Sequence, residues 1–327
     1  MRIAIVQQPP VLLNREATLK LAVAAVEEAS NHGADLVAFP EAFVPGYPIW
    51  IWRLRPGSDM ALAETLHDRL LKNAVSLDGD DLAPLFDAAR QHGVTVVCGI
   101  SERDTDFSRA TLYNSVVVIG PDGALINRHR KLMPTNPERM IWGFGDAAGL
   151  KVLDTPVGRI GTLVCWENYM PLARYALFAQ GIEILISPTY DAGKKWLGTL
   201  EHIAREGGCW VVGCGLALRA ADLPEDLPGR AELYPDPEEW INSGDSVVIT
   251  PDGLIEVGPM HAEQGILYGE IDTSRVGLAR RSLDVAGHYA RPDVFQLKVN
   301  ANRQSPVTFD HRQGEDDAAV DPLIGTP

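Results

Sequence analysis

Residues 114–126 read NSVVVIGPDGALI, and residues 244–256 read GDSVVITPDGLIE. Each runs an apolar, β-branched segment into Pro-Asp-Gly and out into a second apolar segment. That is hairpin chemistry, with glycine where the turn needs positive φ. The echo continues upstream in the same order: HGVTVVCGIS (92–101) matches GGCWVVGCGLA (207–217), GADLVAFPE (33–41) matches GIEILISPT (181–189), and RIAIVQ (2–7) matches RIGTLVC (159–165). Single βαβ units resemble one another by chance, but four elements in one order argue for a duplication. Helix-period segments such as EATLKLAVAAVEEAS (16–30) separate the strands, as in parallel α/β units. Each half therefore predicts a mixed sheet covered by helices on one face. Two such sheets stacked by their bare faces predict an α/β fold of four layers, an α-β-β-α sandwich with two pseudo-symmetric halves. One unit over residues 1–299 would use both halves. From Asn300 the chain turns polar and acidic, so residues 300–327 read as an irregular C-terminal tail.

Composition narrows the partners. The 327 residues are 46% hydrophobic and 22% charged, which fits a soluble globular chain with ample core. A formal net charge of -15 speaks against nonspecific binding to nucleic acid or to an anionic membrane, both of which need clustered Lys and Arg. No window offers the roughly 20 apolar residues of a membrane span, and MRIAIVQQPP carries no leader features, so a cytoplasmic protein is expected. Cys98, Cys165, Cys209 and Cys214 lie in apolar runs without paired CxxC spacing, so they predict reduced thiols and no zinc site.

In open α/β sheets ligands gather beyond the carboxyl ends of strands. Three such ends carry reactive side chains: ADLVAF runs into Pro40-Glu41, ALINRH runs into Arg130-Lys131, and IGTLV runs into Cys165. Taken singly, each has an ordinary reading: a loop carboxylate, a solvated lysine, a packed thiol. Taken together they form a minimal set for covalent catalysis, because a thiol nucleophile needs a base for its proton and a fixed cation for the charge that develops on the substrate. The helix expected directly after Cys165 would favour the thiolate through its N-terminal partial charge.

FPEAFVPGYP with Glu41, HRKLMPTNPER with Lys131 and CWENYMPLARY with Cys165 resemble, in order, the three signature segments of the nitrilase superfamily. The resemblance runs from Met1 to about Phe295 and implies the same four-layer sandwich. It implies Glu41 as general base, Lys131 as electrostatic stabiliser and Cys165 as nucleophile, with Glu138 positioning the lysine and the substrate. A surface ion pair between Glu138 and Arg139 is the alternative. The Trp166 backbone N–H, following the nucleophile, is the expected oxyanion donor. No metal or organic cofactor is required by this chemistry.

Trp166-Glu167, GYPIWIW (46–52), HIAREGG (202–208) and GHYARPDVF (287–295) resemble the true nitrilase branch. Tyr47, Trp166 and Tyr190 are the candidate pocket walls, and a small-molecule nitrile is the implied substrate. The branch's usual Trp-Gly-x-Gly-Asp-Gly is replaced by WGFGDAAG (142–149), so Ala147 and Ala148 predict a reshaped loop and an altered pocket size. An amidase or carbamoylase, or a cyanide-degrading hydrolase, shares these motifs. A non-catalytic assembly protein fits poorly with all three reactive residues present. The resemblance also implies a homo-oligomer, a dimer or a longer spiral.

Overall fold

Two hairpins with the same turn anchor the two halves. Gly120 donates to Ala124 O and Gly123, at φ +78°, donates to Gly120 O, while Thr250 donates to Leu254 O and Gly253, at φ +86°, donates to Thr250 O. The computed structural model describes residues 1–55 and 57–307. Its first half runs β1 (Arg2–Gln7), α1 (Arg15–Asn31), β2 (Leu36–Ala38), α2 (Met60–Asn73), α3 (Ala83–His92), β3 (Thr95–Arg103), β4 (Leu112–Ile119) and β5 (Leu125–Arg130). β6 (Leu153–Thr155) closes the first half, and the second runs β7 (Gly158–Thr162), α4 (Pro171–Phe178), β8 (Ile184–Thr189), α5 (Lys194–Gly207), β9 (Trp210–Gly215), β10 (Ala217–Arg219), β11 (Trp240–Ile249), β12 (Ile255–His261) and β13 (Gly265–Glu270). Local signals set the helix ends: Asn14 caps α1 by accepting from Ala17 N, and Gly93 closes α3 at φ +65°.

The sheets have orders β13-β1-β2-β3-β4-β5 and β10-β11-β9-β8-β7-β6, with β12 also paired to β11. The halves trade edge strands. After the first hairpin the chain enters β6, which pairs antiparallel with β7; after the second it enters β13, which pairs antiparallel with β1 from Arg2↔Glu270 to Gln7↔Gly265. Each sheet therefore contains a strand from the other half.

The central strands are buried on both faces, as strands between two layers must be. Ile3, Ile5, Leu36, Val97 and Val116 face Ile160, Ile184, Ile186, Val212 and Val248 between the sheets. Ala4, Val6, Val37 and Val96 alternate to the other face and pack under α1 and α3, and Leu185, Val211, Val247 and Ile249 pack under α4 and α5. This is the four-layer α-β-β-α sandwich expected from the repeat. Regular structure ends earlier than the sequence pattern suggests: the last helix is Ser274–Arg280, and from there to residue 307 the chain follows turns such as the one in which Asp284 accepts from Gly287 N at 2.8 Å. Residues 308–327 of the expected tail lie outside the described residues. Among the described residues no helix is long and apolar enough to cross a membrane.

Candidate active site

Strand β2 delivers Glu41 to the sandwich interior, and the chain then turns sharply through Ala42 at φ +49°. Gly99 on the neighbouring β3 makes room for this turn, since a Cβ there would stand 2.2 Å from Pro40 O. The Glu41 carboxylate is 1% exposed. Its Oε1 accepts from Asn114 Nδ2 and Lys131 Nζ, both at 2.7 Å, and its Oε2 accepts from Tyr190 N at 2.7 Å. Burial raises its pKa, the Lys131 charge pulls it down and the Glu138 charge raises it again; the balance leaves the carboxyl above its ordinary value.

Lys131 follows β5 and is anchored by its own N–H on Asn114 O at 2.7 Å. Its buried Nζ sits between Glu41 Oε1 and Glu138 Oε2, 2.7 Å from each. Burial alone would discharge it, but the surrounding anionic groups hold its pKa above the ordinary value, so it stays an ammonium. Glu138 lies in the 3-10 helix Asn136–Met140, where Oε2 reaches back to Thr135 N at 2.7 Å and Oε1 accepts from Tyr47 Oη at 2.7 Å. That inward capping bond explains why its partner is Lys131. Arg139, the alternative partner, instead donates through Nε to Pro134 O.

Cys165 stands three residues beyond the end of β7, is 4% exposed, and has φ +52°. For a residue with a Cβ that backbone costs of order 1–3 kcal/mol and persists only where its surroundings fix it. Asn168 supplies the fixing: its buried Nδ2 donates to Cys165 O at 2.8 Å, Leu163 O at 3.1 Å and Ser187 Oγ at 2.8 Å. The expectation that a helix start would favour the thiolate is corrected here. Cys165 opens only a five-residue 3-10 turn, Cys165–Tyr169, and α4 begins later. Burial and the Glu41 charge push the thiol well up, against smaller opposing pulls from Lys131 and Thr189.

Glu167, read from sequence only as a branch marker, ties these segments together. Its buried Oε1 accepts from Leu132 N, the residue after Lys131, at 2.6 Å, and its Oε2 accepts from Val164 N, the residue before Cys165, at 2.6 Å. His129 Nε2 completes the shell at 3.0 and 3.1 Å. No periodicity or spacing signals such a bridge between segments 32 to 35 positions apart.

Cys165 and Glu138 open onto a cavity of about 390 Å³. All three candidate wall residues line it. Tyr47 and Tyr190 stack with centroids 3.9 Å apart and planes 1° from parallel, and Trp166 stands at the mouth, 45% exposed, with its indole N–H donating to Asp191 Oδ2 at 2.8 Å. Trp52, Asp191, Trp240 and Asn242 also line it and were not singled out from sequence. Only Trp52 had a signal, in the aromatic run GYPIWIW.

The altered loop behaves otherwise than expected. Ala147 and Ala148 do not line the cavity. The loop packs on β5 instead, where a Cβ on Gly145 or Gly149 would stand 2.1 Å from Arg130 O or Arg128 O. Among the described residues no group of three or more His, Cys, Asp or Glu has an arrangement suited to a metal ion.

A family model described as carbon-nitrogen hydrolase matches residues 2–281. Nitrilase 2 of Arabidopsis thaliana is 39% identical, with 97% of this chain and 94% of that protein covered. A bifunctional nitrilase/nitrile hydratase of Nicotiana tabacum is 37% identical, covering 94% of this chain and 88% of that protein. Among solved structures, Nit3 of Saccharomyces cerevisiae, described as a member of branch 10 of the nitrilase superfamily, superposes with a TM-score of 0.68 at 21% identity over 88% of this chain and 96% of that one. Matched along nearly its whole length by family, sequence and fold, the chain belongs to the carbon-nitrogen hydrolase family.

Proposed function

We propose that the protein is a nitrilase converting a small-molecule nitrile to a carboxylic acid and ammonia through a covalent adduct on Cys165. One arrangement carries the reading: a carboxylate with raised proton affinity, a locked ammonium and a strained cysteine converge beneath a single aromatic cavity. Because the thiol is neutral at rest, its proton leaves as Sγ attacks, with Glu41 as acceptor. The proton passes to the nitrile nitrogen and a thioimidate forms. Water adds to the thioimidate carbon, ammonia departs and a thioester remains. Glu41 then takes a proton from a second water, whose attack releases the acid and restores the thiol. Lys131 and the Trp166 N–H stabilise the negative charge on the substrate, and Glu138 holds Lys131 in place.

The name of the Nicotiana tabacum relative favours a second product. If the adduct formed by the first water expels Sγ instead of ammonia, the amide is released. An ammonia assay and product analysis over a panel of nitriles and their matching amides tests both readings, with intact-mass detection of an adduct on Cys165. Nitriles are expected to react much faster than amides. Rapid amide hydrolysis with every nitrile inert would leave the amidase reading in its place.

We further read the chain as one unit over residues 1–299, supported by the exchange of β6 and β13. A homo-oligomer is supported by apolar side chains left in solvent, among them Leu172 on α4 and Leu278. A cytoplasmic location is supported by four free thiols. Size-exclusion chromatography tests the assembly.

A further inference from the structure

The cavity holds a charge that the proposed reaction does not use. Asp191, half-buried at the mouth on the turn between β8 and α5, is fixed three ways. Its Oδ2 accepts the Trp166 indole N–H at 2.8 Å, its Oδ1 accepts Ala192 N at 2.9 Å, and its own N–H donates to Thr189 Oγ1 at 2.8 Å. These partners are all neutral, and among the described residues no Lys, Arg or His lines the cavity. The start of α5 compensates part of the charge. An amide oxygen could accept the indole N–H, so holding Trp166 does not by itself require a negative charge.

The other walls suit a cation. Trp52 and Trp166 share the cavity with Asp191, and indole faces attract ammonium groups; Trp240 lines it as well, but its ring already carries the Arg219 guanidinium, 4.3 Å from the centroid. The second carboxylate on the lining, Glu138, already shares Lys131 with Glu41, so the interior offers an anion no free positive partner. We propose that Asp191 with the indoles of Trp52 and Trp166 forms an ammonium subsite, so that the cavity takes aminonitriles ahead of neutral nitriles and rejects cyanocarboxylates. This rests on the nitrilase reading of the same site. The ammonium stays at the mouth while the nitrile carbon reaches Cys165.

The test compares kcat/KM at neutral pH for an ω-aminonitrile, the alkyl nitrile of matching length and the matching ω-cyanocarboxylate. The wild-type protein is expected to favour the cation about tenfold over the neutral compound, the scale of a partly desolvated cation–π contact, and to disfavour the anion by a similar factor. Asp191→Asn removes the carboxylate and leaves the indole faces, so it is expected to bring cation and neutral compound within about threefold of each other, the scale of an exposed cation–π contact. A second measurement on wild-type protein needs no turnover and stands if the variant misfolds: hexylammonium should slow alkylation of Cys165 by iodoacetamide, and hexanoate should not. If no nitrile reacts yet hexylammonium protects, the nitrilase reading fails and the subsite stands. If nitriles react but the cation is not preferred, if Asp191→Asn keeps the preference, or if hexanoate protects as well as hexylammonium, the subsite is overturned.

Discussion

At the end of β2 the chain reads Phe39-Pro40-Glu41, and at the matching end of β8 it reads Ser187-Pro188-Thr189. The backbone plan is shared, and both third residues are buried beside Cys165. What they bring differs. Glu41 belongs to a charged cluster drawn from the first half, with Lys131 and Glu138. Thr189 belongs to a neutral set from the second half, with Ser187 and Asn168, whose work is to hold a strained backbone and a thiol. The repeated plan thus offers two equivalent sets of strand ends, with the charged cluster on one and Cys165 on the other. Chemistry is available only where they meet, and Glu41 itself takes one of its three hydrogen bonds from the second half, at Tyr190 N.

The comparison breaks most completely at Cys165. Cys165→Ala should cost roughly 10⁴-fold or more in ammonia release, as loss of a covalent nucleophile does, with an unchanged circular dichroism spectrum. Cys98, buried under the first half's helices, bears no such role, and Cys98→Ala should stay within a few-fold of wild type. If those two results were exchanged, the nucleophile would be misassigned.

Glu41→Gln against Thr189→Val measures the difference at the two matched strand ends directly. Glu41→Gln keeps the side-chain shape and leaves Lys131 paired with Glu138, so a folded protein with turnover down about 10²–10⁴-fold is expected from loss of a general base. Thr189→Val removes a neutral partner of the thiol and should cost on the order of tenfold, the worth of one hydrogen bond. Equal losses at the two positions would mean that charge at the β2 end has no special part.

Lys131→Met separates stability from chemistry on the charged side. It leaves Glu41 and Glu138 buried without their cation, which should cost about 3–5 kcal/mol in denaturant unfolding. Adding Glu41→Gln should recover part of that stability and none of the activity. A single variant as stable as wild type would contradict the locked ammonium drawn above.

Local rules carried most of the fold. Pro-Asp-Gly turns, β-branched alternation and the Asn14 and Gly93 caps are written within a few residues of where they act. The exchange of β6 and β13 was not legible, because LDT and GILYGE look like ordinary short strands and their partners are chosen by the packing of whole layers. The same division holds at the site. Glu41, Lys131 and Cys165 fall at strand ends, so their convergence follows from topology. The left-handed backbone of Cys165 follows from Asn168, and the raised thiol pKa from burial; neither is a property of local sequence, which is why the thiolate expectation failed. Asp191 lines the cavity from a turn and Trp240 from the first position of β11, and no period marks either.

Glu167 crosses between the halves, so it tests whether they are held together at the site. Glu167→Gln places an amide against two backbone N–H donors and should lower kcat about 10–100-fold with little change in KM, the scale of losing a shell that orients reacting groups. Burial opposes the charged form of Glu167, but His129 and the Leu132 and Val164 N–H groups outweigh it, so its pKa lies below the ordinary value. A depressed carboxyl contributes stability above the unfolded value, roughly 4.3, and loses it as pH falls through the folded value. The stability gap between wild type and Glu167→Gln should therefore narrow below about pH 4. A gap independent of pH would assign the loss to shape alone.

The smallest effect is expected where the C-terminal segment meets the first half. Arg303 pairs with Asp106, and Gln304 N donates to Asp146 Oδ2 at 3.0 Å, both at partly exposed sites. Solvent screening limits such a pair to about 0.2–1 kcal/mol. A chain ending at Asn302 also loses residues 308–327, none of which carries a catalytic motif. That truncation should lower the melting temperature by a few degrees at most, and any larger change should appear in size-exclusion behaviour, with ammonia release per subunit within about twofold of wild type. The reason is the lining of the cavity: Arg303 and Gln304 reach Asp106 in the loop after β3 and Asp146 in the loop after β5, and none of the four lines it. Loss of turnover with an unchanged oligomeric state and melting temperature would mean that the C-terminal segment reaches the cavity, and the division between a catalytic centre shared by two halves and a peripheral tail would have to be redrawn.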